Sequence, residues 1–167
     1  MNLFNLFSTS NKRFFNAIIE NSFKQVQKYI NKGTDVNQTN KDGDTALIIS
    51  AIYGHTNIVK LLIDSGADVN QAGRFGYSAL IKAATEGHEK TVKLLLDRGA
   101  DVNYMSTYFE GIYGTALTDA ALQGHTKIVK MLLKNGADVN QAGRWGTALE
   151  CAKSEGHRAI VKLLEDS

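Results

Sequence analysis

The sequence repeats itself. "KGTDVN" ends at Asn37, "SGADVN" at Asn70, "RGADVN" at Asn103 and "NGADVN" at Asn140, at intervals of 33, 33 and 37 residues. A second marker recurs at Gly54-His55, Gly87-His88, Gly124-His125 and Gly156-His157. A third, a hydroxyl residue ahead of Ala-Leu, recurs at Thr45, Ser78, Thr115 and Thr147. Three markers in one fixed order specify serial copies of a supersecondary unit, and such units bury their apolar faces only against one another.

Each unit reads as a pair of helices. The hydroxyl residue is a helix-start signal, and the first helix, about nine residues, stops at the glycine of Gly-His. The second helix, for example "TNIVKLLIDS", places Ile58, Val59, Leu61 and Leu62 on one stripe with Lys60 outside it. It ends at Gly66, suited to the left-handed cap position. Helices this short are unstable alone in water, so stacking has to hold them.

The pattern resembles the ankyrin-repeat family, whose consensus runs roughly D-x-x-G-x-T-P-L-H-x-A-A-x-x-G-H, then V-V-x-L-L-L and G-A-D-V-N. The resemblance covers the chain from about residue 12 to its end. It implies an all-α solenoid of stacked helix-turn-helix units with finger-like β-turn loops and about five helix pairs, caps included. The expected boundaries are a lead segment 1–11 and one domain 12–167. Within it the units run 12–40 (cap), 41–73, 74–106, 107–140 and 141–167 (cap). Two departures recur: the consensus proline is Ala46, Ala79, Ala116 or Ala148, and the histidine after it is Ile48, Ile81, Thr118 or Glu150. In the first cap Asn21-Ser22 replaces Gly-His.

Composition narrows the function classes. With 43% apolar and 22% charged residues, no apolar run approaches the ~18 residues of a membrane span, so no membrane is expected. The opening "MNLFNLFSTS" lacks the positive leading segment of a signal peptide. The single cysteine, Cys151, suits a reducing compartment, and the expected location is intracellular, in the cytoplasm. An Asn-, Lys- and Ile-rich composition adds the reading of a host-directed effector, with no secretion mark to carry it.

Catalysis finds no constellation. The four histidines occur once per repeat, too far apart to share an ion held at ~2.1 Å; the resemblance implies that they brace the loop between the two helices. Asp68, Asp101 and Asp138 suit local turn bonding, and no phosphate-binding Gly-rich loop is present. No enzyme activity, catalytic residue, cofactor or metal is expected. Cys151 shares its repeat position with Ile49, Lys82 and Asp119. The two charges predict that this position faces the concave groove, where Lys82 and Asp119 either pair with each other or meet a ligand.

The aromatics point elsewhere. Six of fourteen lie at or before Tyr29 and suit filling the N-terminal end of the core. The remaining eight are Tyr53, Phe75, Tyr77, Tyr104, Tyr108, Phe109, Tyr113 and Trp145, none on an Ala/Leu/Val core position. Registering the repeats on glycine makes Asp42, Phe75, Tyr113 and Trp145 equivalent, with Lys41, Arg74, Ile112 and Arg144 just before them. A stacked array would line these up along one edge. Aromatic rings bury 150–250 Å² each, and Tyr, Trp and Arg are enriched at binding hot spots. The third turn, "YMSTYFEGIYG", is longer than the others, and long loops are often functional.

The expectation is therefore a non-catalytic module gripping a protein partner by fingers and groove. Its surface comprises Lys41, Asp42, Arg74, Phe75 and Tyr77, with Tyr53, Lys82, Glu86 and Asp119 on the first helices. Tyr104, Tyr108, Phe109, Tyr113, Arg144 and Trp145 complete it. Two alternatives stand beside it: nucleotide or RNA binding, with bases stacked at Arg74-Phe75 and Arg144-Trp145, and self-association. A near-balanced charge of +2 argues against nucleic acid, and a monomer is favoured over a homo-oligomer.

Overall fold

The structure, a computed structural model, describes residues 3–108 and 111–167, and side chains at 11–107 and 114–167. Among the described residues ten helices run in chain order: α1 Leu3–Ile19, α2 Phe23–Asn31, α3 Ala46–Ile52, α4 Thr56–Asp64, α5 Ala79–Thr85, α6 Glu89–Asp97, α7 Ala116–Leu122, α8 Thr126–Lys134, α9 Ala148–Ser154 and α10 Arg158–Glu165. They pair as five hairpins. The first helices pack in the row α1-α3-α5-α7-α9 and the second helices in the row α2-α4-α6-α8-α10.

The two rows differ in burial because they differ in sequence. All of Ala46 to Ala51 in α3 is buried, as expected of a helix enclosed by neighbours on most sides. In α4 only Ile58, Val59 and Leu62 are fully buried, and Leu61 sits half-exposed at the edge of the stripe. The first helices span seven residues from α3 onward, shorter than expected. The hydroxyl residue is an N-cap outside the helix: Thr45, Ser78, Thr115 and Thr147 each accept a backbone N–H three residues on. Two positions of the missing consensus histidine become reciprocal caps. Thr118 bonds back to the Thr115 N–H at 2.8 Å, and Glu150 to the Thr147 N–H at 2.7 Å.

The repeat markers turn out to be couplings between repeats. Asn70 donates to the Gly99 carbonyl at 3.2 Å and accepts the Asp101 N–H at 2.8 Å. Asn37 and Asn103 make the same two bonds one repeat earlier and later. Asp35, Asp68, Asp101 and Asp138 each accept the N–H two residues on, closing the local turn.

The histidine side chains brace the preceding repeat, each reaching across to it. Nε2 of His55, His88, His125 and His157 lies 2.8–3.3 Å from the carbonyls of Ile19, Ile52, Thr85 and Leu122. A carbonyl only accepts, so Nε2 carries the proton in all four. Where another repeat follows, at Gly54, Gly87 and Gly124, the glycine of Gly-His is required twice over. Gly87 has φ +79, and a Cβ there would meet the His125 ring at 2.7 Å. In the first cap Asn21 takes the glycine's part, with φ 53, as the one described non-glycine residue at positive φ.

Candidate functional site

The loops ahead of the first helices form the fingers, and three share one construction. In the first, the Gly43 N–H closes a turn onto the Asn40 carbonyl at 3.1 Å; in the second, Gly76 closes onto Gly73 at 2.9 Å; in the fourth, Gly146 closes onto Gly143 at 3.2 Å. Lys41, Arg74 and Arg144 therefore occupy the second place of the turn, and Asp42, Phe75 and Trp145 the third. All six are exposed. Phe75 remains 43% and Trp145 65% accessible. The fingers also touch one another: the Arg74 N–H donates to the Gly43 carbonyl at 3.1 Å, with the Arg74 stem packed against Gly43.

The third finger breaks the register. It is an antiparallel hairpin, β1 Ser106–Tyr108 and β2 Gly111–Gly114, with a bulge between Ser106 and Thr107. Tyr108 pairs with Gly111, and Tyr113 belongs to strand β2. Its expected equivalence to Phe75 and Trp145 does not hold. Gly114 ends strand β2 at φ +151, whereas Gly43, Gly76 and Gly146 close their turns at φ +72 to +94. Phe109 lies outside the described residues, as do the side chains of Tyr108 and Tyr113. Thr107 backbone packs against Gly76, leaving no room there for a Cβ.

Behind the fingers, the groove-side residues of the first helices are registered by the histidine bonds. Tyr53 is 49% exposed and stacks on His55 at 5.6 Å between centroids. Glu86 holds the corresponding exposed place one repeat on. Tyr77 is half-buried, with the Lys82 ammonium 3.7 Å above its ring. Asp119, also half-buried, accepts the Thr85 hydroxyl at 2.9 Å. Lys82 and Asp119 thus take other partners and form no ion pair with each other. Burial raises the Asp119 pKa, offset in part by the Thr85 bond and the Lys82 charge. Burial also raises that of Asp44, which Lys82 tempers.

One further expectation is corrected. Cys151 does not face the groove; it is 2% exposed, and its thiol lies 3.6 Å from the Trp145 carbonyl. The fourth finger folds over this position, and burial, with Asp119 and Glu150 nearby, pushes the thiol pKa up. Tyr104 takes the place held by Gln38, Gln71 and Gln141 after each repeat asparagine and, like Tyr77, packs half-buried against the core.

A cavity of about 570 Å³ went unnoticed in the sequence. It opens between α1 and the first finger, lined by Phe15, Ile19, Asn11, Asn16, Lys41 and Asp42 among others. Ile19 is 44% exposed. The His55–Ile19 bond registers Ile19 with Ile52 and Thr85, so this cavity is the N-terminal end of the groove.

Among the described residues no group of His, Cys, Asp and Glu could hold a metal ion, and no helix is long and apolar enough to cross a membrane. Paired short helices in two rows, cross-tied by asparagine and histidine and edged by turns that carry exposed rings, define a helical-repeat binding scaffold. The family model for ankyrin repeats (3 copies) matches residues 14–106 and 109–167. The chain belongs to the ankyrin-repeat family, whose members are generally protein–protein interaction modules and typically non-catalytic. No curated protein matches it.

Proposed function

We propose that this protein is a non-catalytic module that grips a partner protein with its fingers and the groove beneath them. The observation that carries this reading is the pair Phe75 and Trp145. Both stand exposed at the same place of the same turn, on a framework whose marker residues are occupied in holding the stack. Large rings on hydrogen-bonded turns present apolar area with few side-chain torsions to order. Arg144, its guanidinium carbon 5.2 Å from the Trp145 ring centre, adds a polar handle beside it. Lys41, Asp42, Tyr53, Tyr77, Lys82, Glu86 and Asp119 supply the rest of the described surface, and the cavity beside Ile19 closes its N-terminal end.

The test is partner capture followed by affinity measurement. Proteins retained by the wild-type chain from extract are identified, purified and titrated against Trp145→Ala and Phe75→Ala. Each substitution is expected to weaken binding by more than ~1 kcal/mol while far-ultraviolet circular dichroism stays unchanged. Affinities that survive both substitutions would refute the reading.

A further inference from the structure

The charges on this surface are sorted, and the sorting says what kind of protein segment fits. At the second turn position the second and fourth fingers both carry arginine, and each arginine precedes an exposed ring, as Arg74-Phe75 and Arg144-Trp145. The first finger carries Lys41 beside Asp42, so its tip is neutral overall. Directly behind the fingers the groove reverses sign, with Asp44, Glu86 and Asp119 beside Lys82, which is held over Tyr77, while Lys12 and Lys41 line its N-terminal end. We infer that the fingers bind an extended acidic segment of the partner, whose carboxylates meet Arg74 and Arg144 and whose apolar side chains cover Phe75 and Trp145. The inference rests on the protein-binding reading above and deepens it.

Spacing makes it specific. Neighbouring helices pack about 8–10 Å apart, so two fingers separated by one other stand roughly 20 Å apart. An extended chain advances about 3.3 Å per residue, which sets the two carboxylates about six residues apart. Guanidinium groups favour carboxylates because two parallel N–H donors match two oxygens. Arg144 resting against its own indole is already partly ordered for this. A polynucleotide suits the surface less well, since its closely spaced phosphates would also approach Glu86, the C-cap of α5, and Asp119 in α7.

The experiment is selection of phage-displayed random 12-residue peptides on the immobilised full chain. Recovered peptides are expected to be rich in Asp and Glu, with two acids about six residues apart. The Arg74→Glu/Arg144→Glu variant, with unchanged circular dichroism, is expected to bind them at least about tenfold more weakly per arginine and to select Lys- and Arg-rich peptides instead. A recovered pool no richer in acids than the input library overturns the inference. If such peptides still depend on Trp145, the protein-binding reading survives alone. A fluorescein-labelled uridine 20-mer that binds more tightly than any peptide, with a steep fall in salt, overturns both.

Discussion

The Gly-His pairs allow a sharp test of how the repeats are joined, because two glycines share a backbone conformation and differ in surroundings. Gly87 and Gly99 have φ of +79 and +83, and each follows a helix end. Around Gly99 a Cβ would find nothing within 4 Å, whereas at Gly87 it would meet the His125 ring at 2.7 Å. Substitution by alanine forces a left-handed residue in both cases, at about 1–2 kcal/mol. At Gly87 the ring must also move. It would lose its 3.0 Å bond to the Thr85 carbonyl, about 1 kcal/mol, and crowd a packed interface, about 1–3 kcal/mol.

Gly87→Ala should therefore destabilise the protein by about 2–4 kcal/mol more than Gly99→Ala. Urea unfolding followed by circular dichroism at about 222 nm measures this; with a slope near 2 kcal/mol/M the midpoints should differ by about 1–2 M. Removing the ring supplies the control. In Gly87→Ala/His125→Ala the collision is absent, so the double variant should be more stable than the sum of its parts by at least about 1 kcal/mol. Equal costs at Gly87 and Gly99 within about 0.5 kcal/mol, or strict additivity in the double variant, would refute the histidine staple.

Other predictions concern single groups. Asn70→Ala should cost about 1–2 kcal/mol, since it strips partners from both the Gly99 carbonyl and the Asp101 N–H; urea midpoints would show it. Asp119→Asn keeps an acceptor for Thr85 and removes a charge whose pKa burial has raised. A raised carboxyl pKa makes the folded state bind protons more readily than the unfolded one, so stability falls as pH rises through the carboxylate range. The variant should therefore gain stability over wild type at neutral pH and lose that advantage in acid, as melting at both pH values would show. Glu150 has the opposite sign, because the Thr147 N–H and hydroxyl lower its pKa. Its contribution is present above the ordinary carboxyl pKa and disappears as pH falls through the depressed value; Glu150→Ala should flatten that acid limb. Cys151 should react with a thiol reagent only about as fast as the chain opens, given its burial; prompt labelling of native protein would contradict it.

Period and markers were enough to read the solenoid from the letters, because each marker carries a local demand. Glycine answers a positive φ, the hydroxyl residue caps a helix, and the apolar stripe needs a neighbour. The T-x-x-E of Thr147 and Glu150 was equally legible as a reciprocal cap. The exposed rings of Phe75 and Trp145 could also be singled out, since they fall on turn positions where the core makes no demand.

Tertiary structure decided what depends on contacts between repeats. Asn70 and His88 look like members of their own loops, yet their partners lie in neighbouring repeats. Pairing of Tyr108 with Gly111 moved Tyr113 off the finger tip, and the fourth finger buried Cys151 at a position that lysine and aspartate occupy elsewhere. A linear sequence records which units exist and what each residue can do locally. Which side chain is covered, and which charge stands beside which ring, is settled only when the units stack, because burial and Coulomb interaction depend on distance in space.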